Sequence, residues 1–182
     1  MKGWQWGNEE DVRRQDSGEV REHLASLGVT HQAYPIAAAA APFLEREQLD
    51  AEDQERLLTL LDPVFRELQQ DRGYQDRDLV VLYPAHPQLD ALGAQFCRIH
   101  VHQDEEVRFV VEGEGIFGFV LPDGRQLELV VTAGDYLHIP SGVEHWFRLG
   151  GLRRIKAVRY FSARGGWTPV YTDRARQRFS GA

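Results

Sequence analysis

The spacing of apolar residues changes near position 96, and the two parts of the chain predict different elements. In the first part the spacing is helical: Val20 and Leu24 share one helical face in SGEVREHLASLG, and Gly28 stands where a C-terminal cap belongs. A longer helical face follows Asp50, which serves as its N-cap, and Pro63 inside it is a site of kinking. The same part also predicts two short strands and a short helix, at 29–34, 79–83 and 87–95.

From residue 96 onward the apolar residues occur in short β-type runs, namely VRFVVEG, IFGFVLP, RQLELVV, YLHIP, HWFRLG and IKAVRYF. Pro122-Asp123-Gly124 predicts a hairpin turn, and Gly113 and Gly115 predict another. Many short strands at close spacing are typical of an antiparallel barrel or a double-sheet jelly roll. No Pro- or Ser-rich linker interrupts the chain, so we expect one domain over 1–182. It would consist of a helical and mixed part at 1–95, a barrel at 96–170 and a tail at 171–182.

The composition narrows the class of protein without identifying a function. With 182 residues, of which 42% are hydrophobic and 27% charged, the chain can form a hydrophobic core and is not typical of disorder. A net charge of -7 argues against nucleic acid or an anionic membrane as partner. Basic residues do cluster at Arg174, Arg176 and Arg178, but we interpret these three as a solvated end of the chain. We expect a cytoplasmic protein, because the chain has a single cysteine, Cys97, and lacks an apolar run of signal-peptide or transmembrane length. We also expect a monomer.

The stretch HVHQDEEVR, at 100–108, is the first candidate for chemistry. On a strand, alternate residues share a face, so Phe96, Arg98, His100 and His102 would point one way and an apolar set the other. Glu106 follows after a turn, close enough to place its carboxylate on a cation held by both imidazoles. Such donors suit Fe(II) and other divalent first-row metals and leave coordination positions open. The alternative for an isolated histidine pair is that both side chains are exposed or hydrogen-bonded and bind no metal. If a metal is bound, a fourth ligand could be His23, His31, His86, His138 or His145.

A second stretch, GDYLHIPSGVEHWF at 134–147, distinguishes His145 from the other histidines. Pro140-Ser141-Gly142 predicts a tight turn that places His145 at the start of a strand. His138 precedes that turn, and it could face solvent or brace another group. In combination with HVHQDEE, this spacing makes a metal site the favoured interpretation.

The two stretches resemble the two motifs of the cupin superfamily, small β-barrels that hold a metal with three histidines and one glutamate. Carried over position by position, the implied ligands are His100, His102, Glu106 and His145. The implied fold is a mostly β, cupin-type jelly-roll barrel with the N-terminal helices packed outside. Gly93 lies one residue earlier than the superfamily pattern and Leu149 replaces an asparagine, but neither position is a ligand.

A finer resemblance, to the acireductone dioxygenase family of methionine salvage, covers most of the chain. It rests on HVHQDEEVRFVVEGEGIFGF, PSGVEHWF, IKAVRYF and GGWTP, and more loosely on REHLASLGV and RGYQDRDLVVL. It implies that O2 cleaves acireductone (1,2-dihydroxy-3-keto-5-methylthiopentene), an enediol that chelates one Fe(II) or Ni(II) per chain as an anion. With iron the products would be formate and 2-keto-4-methylthiobutyrate. With nickel they would be formate, carbon monoxide and 3-methylthiopropionate.

The same resemblance implies roles for residues around the metal. Arg108 and Arg159 would stabilise and position the substrate anion, for which a permanently charged, planar guanidinium is suited. Phe96, Phe147 and Trp167 would enclose the apolar tail of the substrate and limit water. Each role has a structural alternative, which is an ion pair for the arginines and core packing for the aromatic rings.

Two other functions are open at this point. Another metal-dependent cupin enzyme, such as a quercetin or cysteine dioxygenase or a sugar isomerase, would share the ligands, but the two arginines and the GGW stretch argue against it. A binding cupin without catalysis would be expected to have lost metal ligands, and all four are present in this sequence.

Overall fold

The computed structural model describes residues 2–6, 12–15, 17–162 and 168–177. The helices are α1 (Ser17–Ser26), α2 (Ala41–Leu44), which follows a 3-10 turn at Ala38–Ala40, α3 (Ala51–Arg72) and α4 (Leu89–Phe96). The strands are β1 (Lys2–Trp6), β2 (Val12–Gln15), β3 (Thr30–Ala33), β4 (Asp76–Leu82), β5 (His100–Val101), β6 (Glu106–Val120), β7 (Gln126–Thr132), β8 (Asp135–Ile139), β9 (His145–Leu149), β10 (Ile155–Phe161) and β11 (Val170–Tyr171). Within the described ranges, no helix is long and apolar enough to cross a membrane.

The longest strand, β6, takes part in both sheets of the barrel. Its first residues pair with β8 and β10, and its last residues pair with β7 and β9. The turn predicted at Gly113 and Gly115 is therefore wrong, since the strand continues through both glycines. Gly113 has a φ of +80°, and a Cβ there would lie 2.2 Å from the carbonyl oxygen of Arg154. The glycine lets the strand bend where β10 approaches closely, so two apolar runs form a single element.

The N-terminal half contributes strands as well as helices to the barrel. β3 pairs with β8, and β4 pairs along its length with β10. Helix α3 begins at Asp50, whose carboxylate accepts a hydrogen bond from the amide of Asp53, continues through Pro63 and ends at Gly73. Its buried apolar side chains belong to the same cluster as outward-facing side chains of β6 and β10. The expected β-barrel with helices outside is confirmed.

Along the strands, alternate side chains point either outward, into the hydrophobic cluster that contains α3, or inward, into the barrel. In β6, Val107 and Phe109 belong to the cluster packed on α3, whereas Arg108 and Val110 line the interior. β10 alternates in the same way, and its Arg159 also lines the interior. The barrel therefore receives charged side chains into a space whose walls are largely apolar.

Candidate metal centre and substrate cavity

Four side chains that are distant in the sequence converge inside the barrel. His100 in β5 is the direct partner of His145 in β9, so both imidazoles point to the same side of the sheet. His102 follows β5, and Glu106 is the first residue of β6. One ligand atom from each of the four lies within 4.8 Å of the others, and all four residues are buried. The predicted ligands therefore form one cluster that could hold a metal ion.

Backbone carbonyls orient two of the imidazoles. Nδ1 of His100 donates to the carbonyl oxygen of Arg98 at 2.7 Å, and Nδ1 of His145 donates to the carbonyl oxygen of Val143 at 2.8 Å. A proton on Nδ1 leaves the Nε2 lone pair of each ring available for a metal. The rings of His100 and His145 are thus held in a tautomer and orientation that suit coordination.

The charges of the cluster also suit a divalent cation. Oε2 of Glu106 lies 2.9 Å from Nε2 of His102 and 3.2 Å from Nε2 of His145. Burial raises the pKa of the Glu106 carboxyl, but the Arg108 guanidinium and the adjacent imidazoles outweigh it and hold the pKa well below its ordinary value. Burial, together with the neighbouring His145, lowers the pKa of His100 to about 4. At neutral pH the site offers a carboxylate and a neutral imidazole, which are the forms that bind metals.

A cavity of about 280 Å³ lies beside the cluster. Arg108 and Arg159 enter it from β6 and β10, in which they are direct partners. Most of the remaining wall is apolar, and includes Leu82, Phe96, Phe117, Phe147, Pro169 and Tyr171. Convergent polar groups in an apolar pocket are typical of small-molecule sites. Here the combination fits a small chelating anion with an apolar tail.

Each of the two arginines has a carboxylate partner in the protein. Nη2 of Arg108 lies 3.0 Å from Oε1 of Glu106. Arg159 makes a two-pronged ion pair with Asp78 of β4, in which Nε lies 2.6 Å from Oδ1. The arginines therefore take part in ion pairs and also line the cavity, so the two roles considered from the sequence are compatible. Sequence reasoning missed Asp78, because its position opposite Arg159 follows from the pairing of β4 with β10.

Two of the three predicted aromatic residues line the cavity. The ring centroids of Phe96 and Phe147 lie 6.3 Å apart. Phe96 is the last residue of α4, and β5 comprises only two residues, so the strand alternation that placed Phe96 and Arg98 with the histidines is wrong. Phe96 reaches the cavity from a helix end instead. Trp167 lies outside the described residues.

Tyr171 is a cavity residue that the sequence placed in the tail. It belongs to β11, which pairs with β5 so that Tyr171 lies opposite His100. Pro169, two residues earlier, lines the cavity as well. The local signal is only a Val-Tyr pair after a proline, and a run of that length does not identify a strand or its partner.

His138 braces the turn that precedes Glu106. Its Nε2 donates to Oε2 of Glu105 at 2.7 Å, and the side chain is buried. Close by, the hydroxyl of Ser141 donates to the carbonyl oxygen of Gln103 at 2.8 Å. Of the two possibilities left open by the sequence, the structure therefore shows the bracing contact. These bonds join the two motif segments outside the ligand cluster.

Comparisons with known proteins agree with this geometry. The model of the ARD/ARD' family matches residues 15–169. An acireductone dioxygenase of Microcystis aeruginosa is 46% identical over 156 residues, which are 85% of each chain. Another from Leptospira biflexa is 39% identical over 162 residues, 89% of this chain and 91% of its own. Among solved structures, the acireductone dioxygenase from Bacillus anthracis with a cadmium ion in its active center matches with a TM-score of 0.81 at 29% identity, over 94% of this chain and 98% of its own.

Proposed function

The chain belongs to the ARD/ARD' family, and from this premise we propose that it is a metal-dependent acireductone dioxygenase of methionine salvage. Its substrate would be 1,2-dihydroxy-3-keto-5-methylthiopentene, cleaved by O2. The observation that carries the proposal is that one cavity contains four candidate metal ligands, two guanidinium groups and an apolar wall. These three features match the enediol oxygens, the negative charge and the methylthioethyl tail of that substrate.

The residues that would hold the metal are His100, His102, Glu106 and His145. Their nitrogen and oxygen donors suit Fe(II) or Ni(II), and a metal held by them would keep coordination positions open for a chelating enediolate. When bound, the ion would supply Lewis-acid and template chemistry that determines which substrate carbons meet O2. The enediolate itself supplies the electrons, so the reaction needs no external reductant.

Arg108 and Arg159 would bind the negative charge of the substrate. Their guanidinium groups contact Glu106 and Asp78, and both line the cavity. A guanidinium carries five N–H donors, so each arginine can keep its carboxylate and still donate to an enediolate oxygen. Because the carboxylates hold these donors in place before the substrate arrives, little reorganisation is needed as charge develops.

The apolar wall would receive the methylthioethyl tail. Phe96 and Phe147 line it, and Trp167 is a further candidate from the sequence. Each methylene of the tail removed from water contributes about 0.8 kcal/mol to binding. A tail that fills this part of the cavity also excludes water, which strengthens the electrostatic interactions at the charged end.

The proposal allows two product patterns, one for each metal. The test is product analysis after the protein has been stripped with a chelator and reloaded with either iron or nickel. We expect formate from both forms, 2-keto-4-methylthiobutyrate from the iron form only, and carbon monoxide with 3-methylthiopropionate from the nickel form only. The metal-free protein is the control and should give no more product than the enediol alone. Products that do not depend on the protein would refute the proposal.

A further inference from the structure

We propose that Tyr171 is a specificity-determining residue of the cavity, that its ring meets the apolar tail of the substrate, and that Arg98 positions this ring. The inference rests on the proposed function, because it identifies the part of the same cavity that selects the tail. Tyr171 belongs to a segment that the sequence analysis left without a role.

Tyr171 continues a row of side chains that includes two candidate ligands. In the adjacent strands β11, β5 and β9, Tyr171 lies opposite His100, and His100 lies opposite His145. Residues directly opposite in antiparallel strands project to the same side of the sheet, so Tyr171 points into the same space as the imidazoles. Its ring centroid lies 6.0 Å from that of His100, with the two rings edge to face. Tyr171 is therefore a neighbour of the candidate metal centre.

Tyr171 lines the cavity from a different strand than the two arginines do. Arg108 and Arg159 belong to β6 and β10, whereas Pro169 and Tyr171 belong to the segment that contains β11. An enediolate that binds the metal cluster and the guanidinium groups would direct its tail away from these charges. An aromatic ring in the cavity wall, such as that of Tyr171, suits a thioether tail, because sulfur makes favourable contacts with aromatic rings.

Arg98 holds the ring of Tyr171 by a cation–π contact. The guanidinium carbon of Arg98 lies 3.8 Å from the ring centroid, well within the range of this interaction. The backbone beside the ring is held as well, since the amide of Thr172 donates to the carbonyl oxygen of Ile99 at 3.1 Å. Arg98 is thus a positioning residue that acts through Tyr171.

The rest of the segment is tied to the barrel by polar contacts. The side chain of Gln126 donates to the carbonyl oxygen of Ala175 and accepts from the amide of Gln177, both at 2.9 Å. Nε of Arg174 donates to Oε2 of Glu144 at 3.0 Å. These anchors on both β7 and the β8–β9 connection give the Tyr171 ring a defined place in the wall.

The experiment compares two enediols with the same reacting end and different tails. One is acireductone, and the other is an analogue with a methyl group in place of the methylthioethyl chain. We measure kcat and KM for O2 uptake by metal-loaded protein, and confirm equal metal content in every variant. The wild-type protein should prefer the longer tail in kcat/KM. Tyr171→Ala should reduce this preference about tenfold, through KM, because the ring contacts the tail and not the reacting atoms.

Three further variants separate the ring from its surroundings. Tyr171→Phe keeps the ring and should restore most of the preference. Val170→Ala is the matched control, because Val170 is 49% exposed, and this variant should behave as wild type. Arg98→Leu should reduce the preference in the wild-type background and have little further effect in Tyr171→Ala, because coupled residues are not additive. If Tyr171→Ala does not fold, Tyr171→Leu replaces it throughout.

The failure of this inference and the failure of the proposed function give different results. If the wild type is active and Tyr171→Ala or Tyr171→Leu keeps its tail preference, the inference is overturned. An equal loss of kcat for both enediols with an unchanged KM also overturns it. A wild-type protein that is inactive with both enediols overturns the proposed function instead.

Discussion

His138 and Glu105 form a hydrogen bond, 2.7 Å from Nε2 to Oε2, that braces the turn directly before the candidate ligand Glu106. A second imidazole–carboxylate pair with the same 2.7 Å separation joins His31 of β3 to Asp135 at the other end of β8. The two pairs share their chemistry and differ in their distance from the ligand cluster. They therefore allow metal binding and fold stability to be tested separately.

Removal of the first pair should weaken metal binding. His138→Ala leaves the turn before Glu106 without its brace, and loss of such a supporting contact raises the Kd for metal by about tenfold or more. Competition with a chromophoric chelator measures this Kd. The matched variant, His31→Ala, should lower the free energy of unfolding and leave the Kd for metal unchanged. Equal weakening of metal binding in both variants would contradict the bracing role of His138.

The second pair should make fold stability depend on pH. Burial raises the pKa of Asp135, but hydrogen bonds from His31 and from the amide of Thr132 outweigh it, and the pKa lies below its ordinary value of 3.8. A depressed pKa contributes stability that is present above the unfolded-state pKa and is lost as the pH falls through the folded-state pKa.

Asp135→Asn should therefore lower the free energy of unfolding by about 2 kcal/mol at neutral pH, since it removes hydrogen bonds to a charged group. The difference from wild type should shrink below about pH 4, where the carboxyl begins to protonate in the unfolded chain. Denaturant unfolding at a series of pH values measures both quantities. A difference that stays constant down to the acid limit of folding would contradict the assignment.

Arg159 should affect substrate binding and leave the metal in place, because its carboxylate partner Asp78 lies outside the ligand cluster. Arg159→Gln removes the charge, and we expect KM to rise about tenfold or more, since charge-assisted hydrogen bonds are the strong ones. Steady-state O2 uptake and metal analysis of the same sample check this. Arg77 pairs with Asp62 of α3, so Arg77→Gln is a control that should cost stability and leave KM unchanged. Metal loss from Arg159→Gln would argue against a substrate role.

Arg108 contacts both the cavity and a candidate ligand, so its replacement tests two roles at once. For Arg108→Ala we expect KM to rise about tenfold, with metal content near that of wild type, because Glu106 keeps the adjacent imidazoles of His102 and His145. Metal analysis and O2 uptake at varied enediol concentration separate the two effects. If the variant is isolated without metal, Arg108 supports the metal site and is not primarily a substrate ligand.

The sequence was more informative about the candidate ligands than about their surroundings, and the reason is distance along the chain. HVHQDEE and His145 are recognisable from residue type and spacing within short stretches. The juxtaposition of His100 with His145 depends on the pairing of β5 with β9, which no local pattern encodes. Tyr171 and Asp78 were missed for the same reason, since each reaches the cavity only through the pairing of its strand with a distant one.

Two of the incorrect predictions have local causes. Gly113 is a turn signal by residue type, but its positive φ serves a bend within β6, where the carbonyl oxygen of Arg154 leaves no room for a side chain. The strand alternation at His100 was extended back to Phe96, although α4 runs to that residue. In both places the residue contributes to the barrel, but through a different element from the one that was predicted.

The central claim is that the cluster of His100, His102, Glu106 and His145 supports cleavage of acireductone by O2. The most direct measurement is O2 uptake, without added reductant, by protein that contains one iron or nickel ion per chain. We predict that O2 and acireductone are consumed in equal amounts, at a rate far above that of the enediol alone. A double variant, Glu106→Ala with His145→Ala, should show only the rate of the enediol alone. O2 uptake by this variant at the wild-type rate, or no uptake by the metal-loaded wild type, would contradict the claim.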